Sequence, residues 1–355
     1  MSPKRKTKGK VLVAMSGGID SSVSAALLKK AGFDVIGVFM KFWSLADETK
    51  IENRCCSAES EVRARKVAKI LGIPFYVFNF GKDFKKKVVD RFLAEYKKGV
   101  TPNPCVVCNK EIKFGLLLEK ALKLGADFVA TGHYVKTKKI GEKIRLFKGG
   151  AKDQSYFLWK LSQKQLRRVF FPVGHYEKEE VRRLAREFRL PFSKVSESQE
   201  ICFVPRGIDS FLRKYFKPKP GKIVDAQGKI LGLHQGLYFY TIGQRKGMNL
   251  PGGPYYVLDK DLKKNKLVVT KSEKDLGRKE LKVKDANWTS GLEPKLPLSV
   301  GIKIRYRHKA VRAVIKNIDK KYIKVIFNVP QRAVTAGQSA VFYKGKELLG
   351  GGIIC

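Results

Sequence analysis

The sequence predicts an α/β protein: a doubly wound parallel sheet followed by a small central β-rich domain and a C-terminal antiparallel β-barrel. In the first half, short apolar runs alternate with stretches of helical spacing, which is typical of a parallel sheet. Near residue 217 the run Lys-Pro-Lys-Pro-Gly indicates a linker, and short alternating strands without a long helix follow it. We therefore expect an α/β domain over residues 1–216, a central domain over 217–277 and a barrel over 278–355.

The elements of this prediction follow in chain order. Strands are expected from Val11 and over residues 35–40, 75–78, 128–133, 222–225, 229–232, 255–258, 266–270, 313–318 and 322–327. Helices are expected over residues 22–31, 57–71 with Ser57 as a cap, 84–98, 109–124 and 177–189, and a hairpin over 134–148. Ligands of such sheets bind at the carboxyl ends of the strands, where Ser16, Met40 and the Gly132-His133 pair lie.

The stretch from Ser16 to Ser21 reads Ser-Gly-Gly-Ile-Asp-Ser, between an apolar strand and a helix. The glycines let a ligand approach the main chain, and the start of the helix offers unpaired amides and a partial positive charge. A strand, a glycine turn and a helix start together predict a phosphate site. The stretch lacks the lysine of the common P-loop, so this is a different class of nucleotide-binding turn.

The chain has 355 residues and a formal net charge of +42, which favours a polyanionic partner and nucleic acid before membrane. The alternative explanation for this charge is that the organism's proteins use lysine widely for solubility. No apolar run approaches the ~20 residues of a membrane span and no apolar signal core follows the basic start, so we expect a cytoplasmic protein without a membrane partner. Six cysteines are too sparse for a disulfide scaffold.

Two cysteines lie in polar segments where chemistry is expected. Cys108 follows a loop that contains Pro102 and Pro104, and the sequence places it just before a helix capped by Asn109, where the helix dipole favours a thiolate. Cys202 lies in a second polar loop, residues 196–204. The adjacent pair Cys55-Cys56 is expected to hold buried or reduced thiols, because neighbouring cysteines do not bridge easily.

The phosphate turn and the two cysteine segments together resemble the tRNA-specific 2-thiouridylases of the pyrophosphate-loop ATPase superfamily. The resemblance implies that residues 1–216 are a pyrophosphate-loop catalytic domain. The resemblance covers nearly the whole chain, through residues 14–21, 101–114, 131–134, 152–158, 198–203, 240–247, 305–306 and 337–343. It implies a tRNA-uridine 2-sulfurtransferase that adenylates the C2 oxygen of the wobble uridine and then replaces it with sulfur, releasing AMP and pyrophosphate. Such chemistry needs a good leaving group and a sulfur nucleophile, and a persulfide with a second thiol supplies the latter.

The resemblance also implies roles for individual residues. Cys202 would carry the persulfide and Cys108 would be its partner nucleophile, with a disulfide between them closing the cycle. ATP would bind at Ala14, Met15, Ser16, Gly17, Gly18, Ile19, Asp20, Ser21, Met40 and Gly132. The tRNA would contact Asn103, Pro104, Cys105, His133, Lys152, Asp153, Gln154, Arg305, Tyr306 and Gln338. Mg²⁺ would bridge the ATP phosphates. A persulfide sulfur-donor protein would supply the sulfur. We expect the protein to be a monomer.

One departure from the family pattern is Cys105, where many members carry Asp. With Cys108 and Cys202 it could hold a [4Fe–4S] cluster or zinc, or Cys105 could be a resolving thiol. His133 is as well explained by a structural role. An amidating ligase with the same turn, an idle RNA-binding protein and a 4-thiouridine synthetase are the alternative classes. We expect truncation near Lys217 to leave ATP binding intact and to abolish tRNA modification.

Overall fold

The structure is a computed structural model, and it describes residues 7–45, 57–191, 201–319 and 321–355. The Cys55-Cys56 pair, most of the predicted loop over residues 44–56 and the first part of the loop over residues 196–204 lie outside the described residues. Lys320 of the predicted turn lies outside them as well.

The amino-terminal part contains a five-stranded parallel sheet with the order β3-β2-β1-β4-β7. The strands of this part are β1 (Lys10–Ala14), β2 (Asp34–Lys41), β3 (Phe75–Asn79), β4 (Phe128–Ala130), β5 (Val135–Ile140), β6 (Lys143–Lys148) and β7 (Val169–Phe170). The apolar side chains of β1 are buried because the strand is central and covered on both faces. The carboxyl end of β1 therefore opens at the middle of the sheet edge.

Helices cover the sheet on both sides and connect its strands. They are α1 (Ile19–Lys30), α2 (Ala58–Leu71), α3 (Gly81–Phe84, a π-helical segment Lys85–Val89, and Asp90–Lys97), α4 (Pro104–Cys108, a π-helical segment Asn109–Leu116, and Leu117–Lys123), α5 (Gln163–Leu166), α6 (Lys178–Glu187) and α7 (Ile208–Leu212). The hydroxyl of Ser57 accepts from the Ser60 amide and caps α2, as predicted.

Three helices begin earlier than predicted, and one of them is α3, which begins at Gly81 rather than at residue 84. Helix α1 begins at Ile19 rather than Ser22, because Ser21 and Ser22 donate their hydroxyls back to the Gly18 carbonyl and so fit within its first turns. Helix α4 begins at Pro104 rather than after Asn109, so the prediction that Cys108 precedes a helix was wrong. Proline at the first helical position has no amide to lose and a suitable φ, so here it starts a helix instead of preventing one.

The two downstream domains are built from antiparallel and mixed sheets. The central sheet has the order β10-β11-β8-β9, with β8 (Gly221–Val224), β9 (Ile230–His234), β10 (Tyr256–Asp261) and β11 (Lys266–Thr270). The last sheet contains β12 (Gly277–Trp288), β13 (Leu298–Lys303), β14 (Val311–Asn317), β15 (Tyr322–Arg332), β16 (Ser339–Lys344) and β17 (Glu347–Ile354). Because β12 pairs with both β15 and β17, this sheet closes into an antiparallel barrel, and the predicted fold class is confirmed.

The barrel is joined to the amino-terminal part by more than a linker. The β5–β6 hairpin adds to the edge of β17, with Leu348 opposite Leu146. Beside it, the buried Trp159 donates its indole N–H to the Ser339 hydroxyl at 3.0 Å, and the Tyr156 hydroxyl donates to the Ser339 carbonyl at 3.1 Å. Two large aromatic side chains are therefore buried between the two parts. Among the described residues, no helix is long and apolar enough to cross a membrane.

Candidate active site

A cavity of about 900 Å³ opens at the carboxyl edge of the parallel sheet and extends to the barrel. This volume is within the range of sites for small molecules and cofactors. The predicted site residues that line it are Met15, Ser16, Met40, Asn103, Pro104, Cys105, Cys108, His133, Lys152, Asp153, Gln154, Cys202, Tyr306 and Gln338. The fold thus brings the phosphate turn, both cysteine segments and the barrel to one space.

The phosphate turn follows β1 directly and leads into α1. Gly17 has φ +73°, and a Cβ there would overlap the Ser60 carbonyl at the start of α2. Both the backbone conformation and the space therefore require glycine. The Ser21 hydroxyl accepts from the Ser16 amide at 3.2 Å, so the hydroxyls and amides of the turn are held close together. Such a turn at a helix start can bind phosphate oxygens.

Gly132 explains how the next strand approaches this turn. A Cβ on Gly132 would lie 2.7 Å from the Ser21 nitrogen, so the residue allows the end of β4 to pack against the start of α1. It does not line the cavity itself, and neither do Ala14, Gly17, Gly18, Ile19, Asp20 and Ser21. These residues shape the turn, and Ser16 is its exposed member.

Asp20 is held by two side chains from distant parts of the sequence. Its Oδ1 accepts from the Tyr134 hydroxyl at 2.6 Å and from Lys178 Nζ at 2.6 Å. The Lys178 side chain is 10% exposed and the Asp20 side chain is 30% exposed, so this ion pair is partly shielded from water. Lys178 is a site residue that the sequence analysis missed, because a lysine at the start of a basic helix gives no signal of its own.

The three thiols of interest line the same cavity from different elements. Cys105 lies in the first turn of α4 and is half-buried, Cys108 lies further along α4 and is buried, and Cys202 is half-buried in a turn. The favourable dipole at a helix start therefore acts on Cys105 rather than on Cys108. Within residues 7–45, 57–191, 201–319 and 321–355, no three His, Cys, Asp or Glu residues are grouped to hold a metal ion, so the thiols do not fit a cluster or zinc in this arrangement.

The segment before the thiols, Gly99–Asn103, is held by both downstream domains. The Thr101 amide donates to the Ala336 carbonyl at 3.0 Å, and Gln338 Nε2 donates to the Thr101 and Pro102 carbonyls at 2.9 and 3.2 Å. From the central domain, Lys260 Nζ donates to the carbonyls of Gly99 and Tyr240. Gln338 and Lys260 thus position the backbone that leads to Cys105, and Lys260 is another residue that sequence reasoning missed.

His133 lies between the sheet and α4. Its Nδ1 is 2.8 Å from the Thr131 hydroxyl, and its ring packs against Phe114 and Phe171. Burial, with a smaller contribution from the nearby Lys113 charge, lowers the pKa of His133 well below its usual value. The imidazole is therefore neutral at physiological pH and can offer one donor or one acceptor to a ligand.

The side of the cavity next to the barrel is cationic and aromatic. Lys303, Tyr306 and Arg307 line this side, and Lys113 and Lys152 of the amino-terminal part line the same cavity. The Tyr306 ring packs on Phe157 at a centroid distance of 4.5 Å. Arg305 does not line the cavity, since its guanidinium donates to the Ala333 carbonyl at 2.7 Å. Phosphate and a flat base are the groups that such a surface can accept.

Known protein families match this chain in consecutive stretches. The tRNA methyl transferase HUP domain family matches residues 9–206, the tRNA methyl transferase PRC-barrel domain family matches 209–271, and the aminomethyltransferase beta-barrel domain family matches 278–354. The tRNA-specific 2-thiouridylase MnmA 2 of Thermoanaerobacter sp. strain X514 is 48% identical over 357 residues, covering 97% of each chain. The chain belongs to the tRNA-specific 2-thiouridylase family.

Other 2-thiouridylases are similar over the same length. The MnmA of Carboxydothermus hydrogenoformans is 48% identical over 97% of each chain, and that of Clostridioides difficile is 46% identical over 97% of this chain and 98% of the relative. A solved structure, the U34-tRNA thiolase NcsA from Methanococcus maripaludis with its [4Fe-4S] cluster, is 21% identical with a TM-score of 0.36, covering 59% of this chain and 64% of that one. That similarity is too low to support a conclusion about the site in this protein.

Proposed function

We propose that the protein catalyses ATP-dependent 2-thiolation of the wobble uridine of tRNA. The observation that supports this most is that one cavity is lined by Ser16 of the phosphate turn and by both Cys108 and Cys202. An amidating ligase would use the same turn but would not need two thiols facing the nucleotide. The cationic and aromatic barrel side fits a tRNA whose target base has left its stack.

The first step of the proposed reaction is adenylation. ATP binds with its phosphates at the turn formed by residues 14–21, and the C2 oxygen of the uridine attacks the α-phosphorus and displaces pyrophosphate. Mg²⁺ bound with the phosphates would supply positive charge as a hard cation, and Asp20 Oδ1 is engaged by Tyr134 and Lys178. The result is a uridine whose C2 carries AMP as a leaving group.

The second step is sulfur transfer, and no part of it runs through a metal. The terminal sulfur of a Cys202 persulfide attacks C2, the C–O bond breaks, and AMP leaves with the former uridine oxygen. The Cys108 thiolate then attacks Sγ of Cys202, which breaks the sulfur–sulfur bond and releases 2-thiouridine. A Cys108–Cys202 disulfide remains, and an external thiol reduces it with two electrons. A sulfur-donor protein then restores the persulfide.

The partners follow from this chemistry. We propose a cytoplasmic enzyme that acts as a monomer on tRNAs with a wobble uridine, with affinity that falls steeply as salt rises, because phosphate contacts release counterions. The base-side roles proposed for Asn103, Pro104, Cys105, His133 and Gln338 rest on their places around the cavity. Arg305 would act through the barrel rather than by lining that cavity.

The test is mass analysis of nucleosides from tRNA that was incubated with the protein, ATP and a persulfide sulfur donor. We expect 2-thiouridine at the wobble position, dependent on ATP and lost in Cys202→Ser. AMP formation can survive in this variant, because adenylation does not use Cys202; a protein that forms no 2-thiouridine but amidates a substrate with ATP, unchanged in Cys202→Ser, would be an amidating ligase instead. An anaerobic iron and sulfide assay decides separately on a cluster, and iron-free active protein agrees with the scheme above.

A further inference from the structure

Asn109 is a buried residue of the cavity wall to which the proposed reaction has given no role. It follows Cys108 directly on α4, opens the π-helical segment of that helix and is 3% exposed. It lines the same cavity as Cys108, Cys202 and Ser16. Wide helical turns of this kind occur frequently at functional sites, because they change which side chains face a ligand.

The orientation of its amide is fixed by one hydrogen bond. Asn109 Nδ2 donates to the Phe157 carbonyl at 3.3 Å, and the Phe157 ring is held against Tyr306. The donor half of the amide is therefore used by the protein, and the acceptor half, Oδ1, is left. Among the described residues, Asn109 Oδ1 is buried and has no hydrogen-bond partner. A buried acceptor without a partner is rare in folded proteins and calls for an explanation.

Several other polar groups around the cavity are donors or already hold a partner. Asp153 Oδ1 accepts from the Gly149 and Ser155 amides, and Gln154 Oε1 accepts from the Tyr134 amide. The lysines and the arginine of the cavity wall can only donate. Asn109 Oδ1 is covered in this structure, so a ligand with one N–H on its edge would bond it by taking the place of the atoms that cover it.

We infer that Asn109 Oδ1 accepts a hydrogen bond from N3–H of the target uracil and so makes the site specific for uridine. The inference rests on the proposed function and adds the residue that reads the base. N3 is bonded to C2, the carbon that reacts, so a group that holds N3–H also holds C2 close to Cys108, the preceding residue. Cytosine has the same size but carries a lone pair at N3, and it would leave two acceptors facing each other.

The experiment compares two tRNA transcripts that differ at the wobble position, one with uridine and one with cytidine. Thiolation of the uridine transcript is measured with the cytidine transcript as a competitor. The inhibition constant of the cytidine transcript divided by KM of the uridine transcript gives the ratio that measures discrimination. We expect Asn109→Leu, which keeps the shape of the side chain, to lower this ratio by roughly tenfold relative to the wild type. Asn109→Ala also removes the acceptor and should lower the ratio as Asn109→Leu does.

The matched control is Gln165→Leu. Gln165 is also a buried amide that supports α4, through bonds from its Nε2 to the Phe114 and Lys110 carbonyls, but it does not line the cavity. Its loss should lower the melting temperature and leave the ratio unchanged. A structural role for Asn109 would give that same pattern in Asn109→Leu, and this would overturn the inference.

The remaining outcomes are also decisive. If Asn109→Leu does not fold, Asn109→Ala takes its place: a lowered ratio in a protein that still thiolates uridine supports the assignment, and an unchanged ratio overturns it. Wild-type protein that forms no 2-thiouridine on the uridine transcript contradicts the proposed function itself. Wild-type activity together with an unchanged ratio in Asn109→Leu contradicts the role of Asn109 and leaves the proposed function standing.

Discussion

The phosphate turn and the thiol segment face the same cavity but are supported in opposite ways. The turn is held within the amino-terminal part, by Ser21, by the start of α2 and by the Lys178–Asp20 pair. The segment that leads to Cys105 and Cys108 is held by backbone bonds from the barrel and the central domain. Adenylation and sulfur transfer should therefore be separable by substitution, although they occur in one space.

The largest effects are expected when the same substitution is made in both regions. Gly17→Ala places an alanine at φ +73°, which L-residues rarely adopt, and its Cβ would overlap the Ser60 carbonyl. We expect tRNA-dependent AMP formation to fall by ~100-fold or more, because misplacing a reacting group by about 1 Å has that effect. AMP and 2-thiouridine are measured in the same reaction, and both should fall together.

Gly337→Ala should separate the two products. At φ +88° its Cβ would overlap Val100 and lie 2.8 Å from the Thr101 carbonyl, so the thiol segment must shift. We expect 2-thiouridine to fall by about 100-fold while AMP formation falls far less. Gly345→Ala is the control, because φ is +59° there but nothing lies within 4 Å. Equal losses of AMP and 2-thiouridine in Gly337→Ala would show that the regions are not independent.

A smaller effect is expected from Lys178→Met. The substitution leaves Asp20 without its charged partner in a partly shielded position, so the turn should bind phosphate less well. We predict that KM for ATP rises roughly tenfold, with the yield of 2-thiouridine per AMP unchanged. Arg182→Met, on the exposed face of the same helix, is the control and should change KM little. A fall in the yield per AMP would place Lys178 in the sulfur-transfer step.

Lys260→Met tests the segment that leads to Cys105 and Cys108, and its expected effect is smaller than that of Gly337→Ala. It removes the donor that joins the Gly99 and Tyr240 carbonyls, so we expect AMP released per 2-thiouridine to rise about threefold to tenfold, because water reaches the activated base first. KM for ATP should stay the same. Lys263→Met, which alters an exposed residue beyond the same strand, is the control. An unchanged ratio of AMP to 2-thiouridine would mean that the barrel contacts alone hold the segment that leads to Cys105 in place.

The smallest effect concerns pH. Burial lowers the pKa of Lys260 to about 8, below its value in the unfolded chain. Between that pH and the unfolded pKa the unfolded state binds more protons, so this group adds stability as pH rises through 8 and above. Denaturation of wild type and Lys260→Met at pH 7 and pH 9.5 should show the wild type gaining relative to the variant. A relative loss at the higher pH would contradict the assignment.

What could be predicted from the sequence was local. The strand, glycines and helix around Ser16 are adjacent in the chain, and the alternation of β1 with its neighbours indicated the parallel sheet. The start of α4 at Pro104 was missed, because proline was read as a residue that prevents helices rather than one that begins them. The roles of Lys178 and Lys260 depend on contacts across 158 and 161 residues, which no local pattern contains.

The same limit applies to the domain boundaries. The expected truncation near Lys217 treated the amino-terminal part as independent, yet β6 pairs with β17, and Trp159 and Tyr156 are buried against the barrel. Removing residues 217–355 would expose these aromatic side chains to water, so the truncated protein would lose stability together with its tRNA contacts. Point substitutions at the contacts are therefore the cleaner way to separate ATP binding from tRNA modification.

The most direct measurement is a peptide mass map after one turnover. Protein loaded with one persulfide per chain, freed of donor and then given ATP and tRNA without a reductant, should yield one AMP, one 2-thiouridine and one intramolecular Cys108–Cys202 disulfide per chain. 2-Thiouridine formed while Cys108 and Cys202 remain reduced, or a disulfide that joins one of them to a different cysteine, would contradict the account.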